Sequence, residues 1–349
     1  MTTRTIVRAV LRGSLRDIHH VGAVPPGRAR GLVARVYAQA ERDFGIIAPP
    51  LALHSGAPRA LAASWLLLRE TLLVEGRVGR AVKEAVAAEV SRGNSCPYCV
   101  DVHRAALETL RRPAPDAPGA GAAEWIRSGA GRGERPPFTA EEAPEILGVV
   151  LAFHYLNRMV GVFLDDSPVP ARTPAAVRGP ILRTVARAMS PAAGPPRPGE
   201  SNGLLPAAPL PPGLEWARAD PVVADALGRS AAAVEDGARW VPPPVRRALA
   251  SRLDGWDGSP PGLGRSWLGE ALAGPLRPAD LPAARLALLT ALAPYQVTEA
   301  DVASFRERYP GDRELVELTA WASLRTAVLL TSRLASRHPP AAPGNRPGR

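Results

Sequence analysis

Residues 80–110 read RAVKEAVAAEVSRGNSCPYCVDVHRAALETL, and this stretch decides the fold. Its first part is Ala-rich and ends at Gly93 and Asn94, residue types that commonly terminate a helix. Pro97 suits the first position of a new helix, which places Cys96 at the N-cap. The stretch therefore predicts two consecutive helices joined by a short turn, with a cysteine pair at the start of the second.

The remainder of the chain has the composition of an all-α protein. Ala and Leu dominate its 349 residues, and aromatic residues make up only 5%. Both features favour helix over sheet. Apolar residues at helical spacing alternate with Pro- and Gly-rich stretches. We predict helices over residues 30–44, 60–73, 78–92, 97–110, 145–164, 221–237, 244–253, 281–292, 298–308 and 312–334, and a long loop over residues 111–137.

The order of these helices predicts two related halves, of which the second is degenerate. A shift of 202 residues carries the helix of Glu84 onto residues 284–292, and the helix that starts at Cys96 onto the one that starts at Thr298. Such internal similarity is typical of a duplicated helical unit. The predicted segments are an N-terminal amphipathic helix and arm (1–29), an active helical domain (30–188), a Pro-rich linker (189–213), a degenerate second helical repeat (214–336) and a disordered tail (337–349).

The charge of the chain gives little support for a nucleic-acid partner. The net charge is +10, but Lys83 is the only lysine, and the arginines are spread along the chain without interleaved aromatic residues. We therefore expect no nucleic-acid partner. The most apolar stretch, residues 146–164, contains His154, Asn157 and Arg158. Polar residues at those positions predict a buried core helix and no membrane partner.

The two cysteines indicate chemistry in a reducing compartment. A secreted disulfide scaffold would use more cysteines at wider spacing. No signal peptide is expected, because arginines interrupt every apolar run near the first residue, at Arg4, Arg8, Arg12 and Arg16. Their spacing predicts an amphipathic surface helix instead. We expect a cytoplasmic protein.

The residues around the cysteines predict an activated thiol. A helix start surrounds Cys96 and Cys99 with free N–H groups and the positive end of the helix dipole, which lower the pKa of a thiol. His103 follows Cys99 by four residues on the same helical face and can serve as base or proton relay. Glu84 lies among small residues on the preceding helix. It is expected to be partly buried and to pair with His103.

Other interpretations of the same residues remain open at this point. The cysteines can be packed as small hydrophobic residues, or they can form half of a zinc site with His103, although no complete ligand set is evident nearby. The sequence Cys-Pro-Tyr-Cys also matches the glutaredoxin active site, where the motif follows a β-strand. Here it follows an Ala-rich helix with no β-branched run before it, which excludes that fold.

The spacing Glu-x11-Cys-x2-Cys-x3-His resembles the alkylhydroperoxidase D-like branch of the carboxymuconolactone decarboxylase superfamily. Glu84, Cys96, Cys99 and His103 match all four positions, and the specific match covers roughly residues 60–110. The segment FHYLNR at residues 153–158 is similar to the family's following helix. The resemblance implies an all-helical, usually oligomeric protein whose helical unit is sometimes duplicated within one chain.

The resemblance also implies roles for these residues. Cys99 would be the peroxidatic thiol, and Cys96, nearer solvent, would resolve its sulfenic acid into a disulfide. Glu84 and His103 would relay the proton. Tyr98 stands where the best-known members carry a second His. A lipoyl-bearing protein or another dithiol would be the reductant, with no metal, haem or flavin required.

The sequence therefore predicts a thiol-dependent peroxidase. A non-enzymatic redox sensor or interaction protein with the same disulfide is one alternative, and lactone chemistry of the decarboxylase type is another. The second half is expected to be inert. At the positions equivalent to the four motif residues it carries Leu286, Thr298, Asp301 and Phe305.

Overall fold

The computed structural model describes residues 13–110, 113–170, 172–189, 194–337 and 339. Within these ranges the chain is helical and has no β-strand, which confirms the predicted all-α class. The helices are α1 (Gly31–Gln39), α2 (Pro49–Ala52), α3 (Pro58–Leu68), α4 (Arg80–Gly93), α5 (Pro97–Thr109), α6 (Ala122–Glu124), α7 (Ala143–Phe163), α8 (Ala175–Ala188), α9 (Pro221–Gly237), α10 (Pro243–Asp254), α11 (Ser266–Leu272), α12 (Leu281–Leu292), α13 (Glu299–Arg306) and α14 (Asp312–Arg337).

Prolines fix the starts of several of these helices. Pro58, Pro97 and Pro221 lie in the first turn of α3, α5 and α9. A proline lacks the backbone N–H, but the first N–H groups of a helix have no partner within the helix, so nothing is lost there. The Pro-rich composition of the chain is therefore compatible with its helical fold.

Helix α7 lies at the centre of the core. It packs against α4 and α14, and its apolar residues join one hydrophobic cluster that extends from Ile18 to Ala327. By length and composition α7 is able to cross a membrane, but 89% of its apolar window is buried inside the protein. The prediction of a buried core helix over residues 146–164 is confirmed.

The helices of the two halves pack against one another in matching pairs. Helix α3 packs on α9, and α7 packs on α14. A shift of 168 residues carries residues 58–68 onto residues 226–236 of α9, and carries Ala152 of α7 onto Ala320 of α14. The helices α12 and α13 adjoin each other as α4 and α5 do. This order agrees with a duplicated unit, and the boundaries of the two units remain predictions.

The long loop predicted over residues 111–137 contains a helical segment, so that prediction is wrong in part. Helix α6 continues as a turn over Trp125–Gly129. The Trp125 ring is buried edge-on against Phe138, with ring centroids 5.4 Å apart. One buried tryptophan thus fixes a segment whose Pro and Gly content indicated a loop. Helices α8 and α11 were not predicted either, and α8 contains Pro180.

Parts of four predicted segments lie outside the described residues. These are residues 1–12 of the N-terminal amphipathic helix, residues 111, 112 and 171 of the active helical domain, residues 190–193 of the linker, and the tail from residue 338 onward apart from Pro339. Arg16 lies in a short 3-10 helix, Ser14–Asp17. The described part of the linker is held in place, because the N–H of Gly199 donates to the buried carboxylate of Glu70 at 2.9 Å.

Candidate active site

A compact turn between α4 and α5 places the cysteines. The N–H of Ser95 donates to the carbonyl of Arg92 at 3.1 Å, and the N–H of Cys96 donates to the carbonyl of Ser91 at 2.9 Å. This pair of bonds is a Schellman motif, which normally requires a left-handed residue. Ser95 takes that position with φ 53°. The left-handed residue of the helix end is therefore Ser95, although the sequence indicated Gly93 and Asn94.

Both cysteines are free thiols and both are buried. Cys96 is 5% exposed and Cys99 is 4% exposed, so the expected greater exposure of Cys96 is not found. The two thiols are near each other. Cys99 lines a pocket that Cys96 does not line. The difference between the two thiols is thus access to this pocket rather than access to bulk solvent.

The burial of Cys99 reverses one expectation. Burial raises the pKa of the Cys99 thiol well above its ordinary value, and the contact with Cys96 raises it further. The sequence predicted a lowered pKa because Cys99 lies at a helix start. In the fold this helix start lies in an apolar cluster with Tyr98 and Val160, and the sequence gives no sign of that cluster. A buried thiol of this kind needs a nearby base and hydrogen-bond donors to form its thiolate.

The structure brings Glu84 and His103 together. Oε2 of Glu84 lies 2.6 Å from Nδ1 of His103, and the glutamate side chain is fully buried. Because a carboxylate only accepts hydrogen bonds, Nδ1 carries the hydrogen, and Nε2 is the ring nitrogen that can act as base. The His103 ring also meets the ring of Phe153 edge-on, with centroids 4.5 Å apart.

Arg80 is a third member of this group that the sequence analysis missed. Its Nε donates to Oε1 of Glu84 at 2.7 Å, one helical turn away on α4. Burial alone would raise the pKa of Glu84, but the charges of Arg80 and His103 outweigh it and lower the pKa to about 2. Glu84 is therefore a carboxylate at any physiological pH. The i, i+4 spacing of Arg80 and Glu84 is the sequence feature from which this ion pair could have been predicted.

The pocket beside Cys99 is small and mainly apolar. Its volume is about 190 Å³, and both Cys99 and His103 lie in its wall. Among the described residues, the ring of His103 hydrogen-bonds Glu84 and not the Cys99 thiol. The exposed carboxylates of Asp17 and Asp165 are at the solvent side. The apolar lining of the pocket includes Phe44, Ile47, Leu68, Val102, Phe153 and Leu156.

The zinc interpretation finds no complete ligand set in the part of the chain that the structure describes. No group of three His, Cys, Asp or Glu side chains there is arranged to hold a metal ion. His103, the histidine of the predicted zinc half-site, has its Nδ1 bonded to Glu84.

Comparison with known proteins decides the family. No family model matches the chain. A curated protein of Mycobacterium tuberculosis (strain ATCC 25618 / H37Rv), named alkyl hydroperoxide reductase Rv2159c, is 38% identical to it over 332 residues. That match covers 90% of this chain and 94% of the relative. The chain belongs to the alkylhydroperoxidase D-like family.

One position of this alkylhydroperoxidase D-like protein departs from the pattern of the best-known members. Tyr98 lies between the two cysteines, where those members carry a histidine. It is buried in the pocket wall, and burial raises the pKa of its phenol strongly. Tyr98 is therefore a neutral phenol that can donate a hydrogen bond, but it cannot accept and pass on a proton as an imidazole does.

The second half of this alkylhydroperoxidase D-like protein carries a capping box at the equivalent helix start. The N–H of Asp301 donates to Thr298 Oγ1 at 3.4 Å, and the N–H of Thr298 donates to Asp301 Oδ2 at 3.0 Å. Leu286 and Phe305 are fully buried. A capped helix start thus replaces the cysteine pair, and two apolar side chains stand where the first half has its Glu–His pair.

Proposed function

We propose that this protein reduces organic hydroperoxides, with Cys99 as the attacking thiol and Cys96 as the resolving thiol. The observation that carries the proposal is that Cys99 and His103 lie in the wall of one apolar pocket while Glu84 holds the imidazole. The name of the relative, an alkyl hydroperoxide reductase, supports the same reaction. Membership of the family alone would leave the substrate open.

The first step is peroxide reduction at Cys99. Nε2 of His103 takes the thiol proton, and the thiolate attacks the terminal oxygen of the hydroperoxide. The O–O bond breaks, and the leaving alkoxide takes the proton from His103. The products are an alcohol and a sulfenic acid on Cys99. Glu84, with its pKa of about 2, stays ionised and stabilises the imidazolium without moving a proton itself.

The second step closes the disulfide and resets the site. The Cys96 thiol attacks the sulfur of the sulfenic acid, an S–S bond forms, and the hydroxyl leaves as water with the thiol proton. An external dithiol then reduces the disulfide and is itself oxidised to a disulfide. We propose a dihydrolipoyl group or a similar dithiol as this reductant. The sulfur–oxygen chemistry requires no metal, haem or flavin.

The pocket favours an apolar hydroperoxide over hydrogen peroxide. Each methylene of a substrate that leaves water for an apolar pocket gains roughly 0.8 kcal/mol, and hydrogen peroxide has none to contribute. The aromatic and aliphatic lining near Cys99 therefore provides binding energy only to substrates with a carbon chain or ring. We further propose that the protein acts in the cytoplasm as a homo-oligomer.

Turnover tests this function. Wild-type protein with excess dihydrolipoamide should consume many equivalents of cumene hydroperoxide per chain, and Cys99→Ser should consume none above background. Phe305→Leu, a change in the second half, is the control and should retain turnover. Consumption that stops near one equivalent would indicate a redox sensor. Lactone chemistry that persists in the Cys96→Ser, Cys99→Ser double variant would indicate the decarboxylase alternative.

A further inference from the structure

Four polar side chains form a hydrogen-bonded chain that connects α7 to the turn that carries the cysteines. Nδ1 of His154 lies 3.0 Å from Oδ1 of Asn94, and the amide nitrogen of Asn94 donates to Oδ1 of Asn157 at 2.8 Å. The amide nitrogen of Asn157 donates to Ser91 Oγ at 3.1 Å. Val160, three residues further along α7, lies in one apolar cluster with Cys99. Burial raises the pKa of the Cys99 thiol, and the Asn157 side chain opposes this effect. None of these residues takes part in the mechanism described above.

The chain fixes which end of the Asn157 amide faces the cysteine turn. Because Asn94 gives its N–H to the Asn157 carbonyl oxygen, the opposite end of that amide, the NH2 group, is the end that donates to Ser91. The hydroxyl of Ser91 donates to the carbonyl of Ala87 at 2.7 Å. Its oxygen therefore needs a donor, and a reversed Asn157 would place two acceptors in contact.

His154 holds the outer end of the chain in the same direction. The acceptor at its Nδ1 is an amide carbonyl oxygen, so Nδ1 carries the hydrogen. Burial, followed by the charge of Arg158, lowers the pKa of His154 to about 3. The imidazole is therefore neutral, and its single hydrogen is committed to Asn94. Every donor from His154 to Asn157 therefore points toward the cysteine turn.

We propose that Asn157 is a catalytic residue that donates a hydrogen bond to the Cys99 thiolate, and that Asn94 is a positioning residue that keeps the amide in its donor orientation. The ligand of this site is the anionic sulfur itself. Asn157 is 2% exposed, so it contributes a donor where water has little access. It acts on one side of the sulfur by hydrogen bonding, whereas His103 acts by proton transfer. The catalytic role of Asn157 rests on the proposed function, whereas its hydrogen bond to the thiolate does not.

The test is the pKa of Cys99, measured from alkylation rate against pH in a Cys96→Ser background. Asn157→Ala should raise this pKa by about one to two units, the size of a lost hydrogen bond to a charged group. Asn202→Ala removes a buried amide from the Pro-rich linker, where it donates to Asp225 of the second half, and should leave the pKa unchanged. An unchanged pKa in Asn157→Ala would overturn the proposal.

A second variant covers the case in which Asn157→Ala does not fold. Asn94→Ala removes the residue that orients the amide, at a partly exposed turn position, and should raise the Cys99 pKa by a smaller amount. An unchanged pKa in Asn94→Ala would then refute the orienting role and the proposal with it. Since alkylation needs no peroxide, a protein that lacks turnover but shows these shifts would refute only the proposed function.

Discussion

Oε2 of Glu84 lies 2.6 Å from Nδ1 of His103, and this contact joins two helices that are separated by the cysteine turn. It fixes the tautomer of His103, because the carboxylate accepts and Nδ1 must donate. Nε2 is then the nitrogen available to the thiol proton. In this pair His103 is the base and Glu84 is the group that orients it.

Loss of either member of this pair should slow peroxide reduction. Glu84→Gln and His103→Gln are each expected to lower turnover by about 10²-fold or more, the usual size of a lost general-base contribution. Glu317→Gln is the control, since Glu317 is a buried glutamate of the second half with its own arginine partner, Arg313. Near-wild-type turnover in either site variant would remove that residue from the mechanism.

Arg80 should matter for stability and for its pH dependence. Its guanidinium pairs with a fully buried carboxylate, and removal of one partner of a buried pair costs about 3 kcal/mol or more. Arg80→Met should therefore lower the free energy of unfolding by about that amount. Arg92→Met breaks an exposed pair with Glu89 on the same helix and should cost less than about 1 kcal/mol. Equal losses in urea unfolding would contradict the account.

The direction of the pH effect follows from the lowered pKa of Glu84. This pKa is 4.5 in the unfolded chain and about 2 in the folded protein, so the unfolded chain binds the proton more tightly. The stability that this group contributes is complete above pH 4.5 and is lost as the pH falls toward 2. Without Arg80 the folded pKa of Glu84 should lie closer to or above 4.5, so in Arg80→Met this loss of stability between pH 4.5 and 2 should be smaller or absent, measured as the denaturation midpoint in a series of acidic buffers.

Much of the site was predictable because its signals are local. Spacing along a helix placed Cys99 and His103 on one face, and Pro97 fixed the start of that helix. The partner of Glu84 was also predictable, since a carboxylate among small residues on one helix has few candidate partners on the next. The all-α class followed from composition and apolar spacing.

The remainder depended on packing between distant segments. The raised pKa of Cys99 comes from burial by α7, and nothing near the motif shows that α7 covers it. The hydrogen bond from Asn157 to Ser91 joins residues 66 positions apart. The wall of the pocket likewise combines α5 with residues such as Phe44 and Met189. Local patterns do not specify such contacts.

The capping box of the second half should be structural only. Thr298→Ala removes the side chain that accepts the N–H of Asp301 and should cost about 1 kcal/mol of stability. Peroxide reduction should be nearly unchanged, because Leu286 and Phe305 cannot move a proton. A Thr298→Ala protein that remains folded by circular dichroism but loses turnover would show that the second half takes part in the reaction.

The apolar pocket should determine substrate choice. Val102 lines the pocket, and Val102→Phe should lower kcat/KM for cumene hydroperoxide by about tenfold or more, with a smaller effect on hydrogen peroxide. Val100→Phe adds the same volume on the same helix outside the lining of the pocket and should have little effect on either substrate. Equal losses for both peroxides in Val102→Phe would indicate damage to the thiol site rather than loss of substrate space.

The most direct test of the central claim is the site at which peroxide oxidises the chain. Each single Cys→Ser variant is treated with one equivalent of cumene hydroperoxide and a sulfenic-acid probe, and the labelled residue is identified by mass spectrometry. The account predicts strong labelling of Cys99 in Cys96→Ser, weak labelling of Cys96 in Cys99→Ser, and an intramolecular Cys96–Cys99 disulfide in the wild-type protein. Stronger labelling of Cys96 in Cys99→Ser would contradict the assignment of Cys99 as the residue that attacks the peroxide.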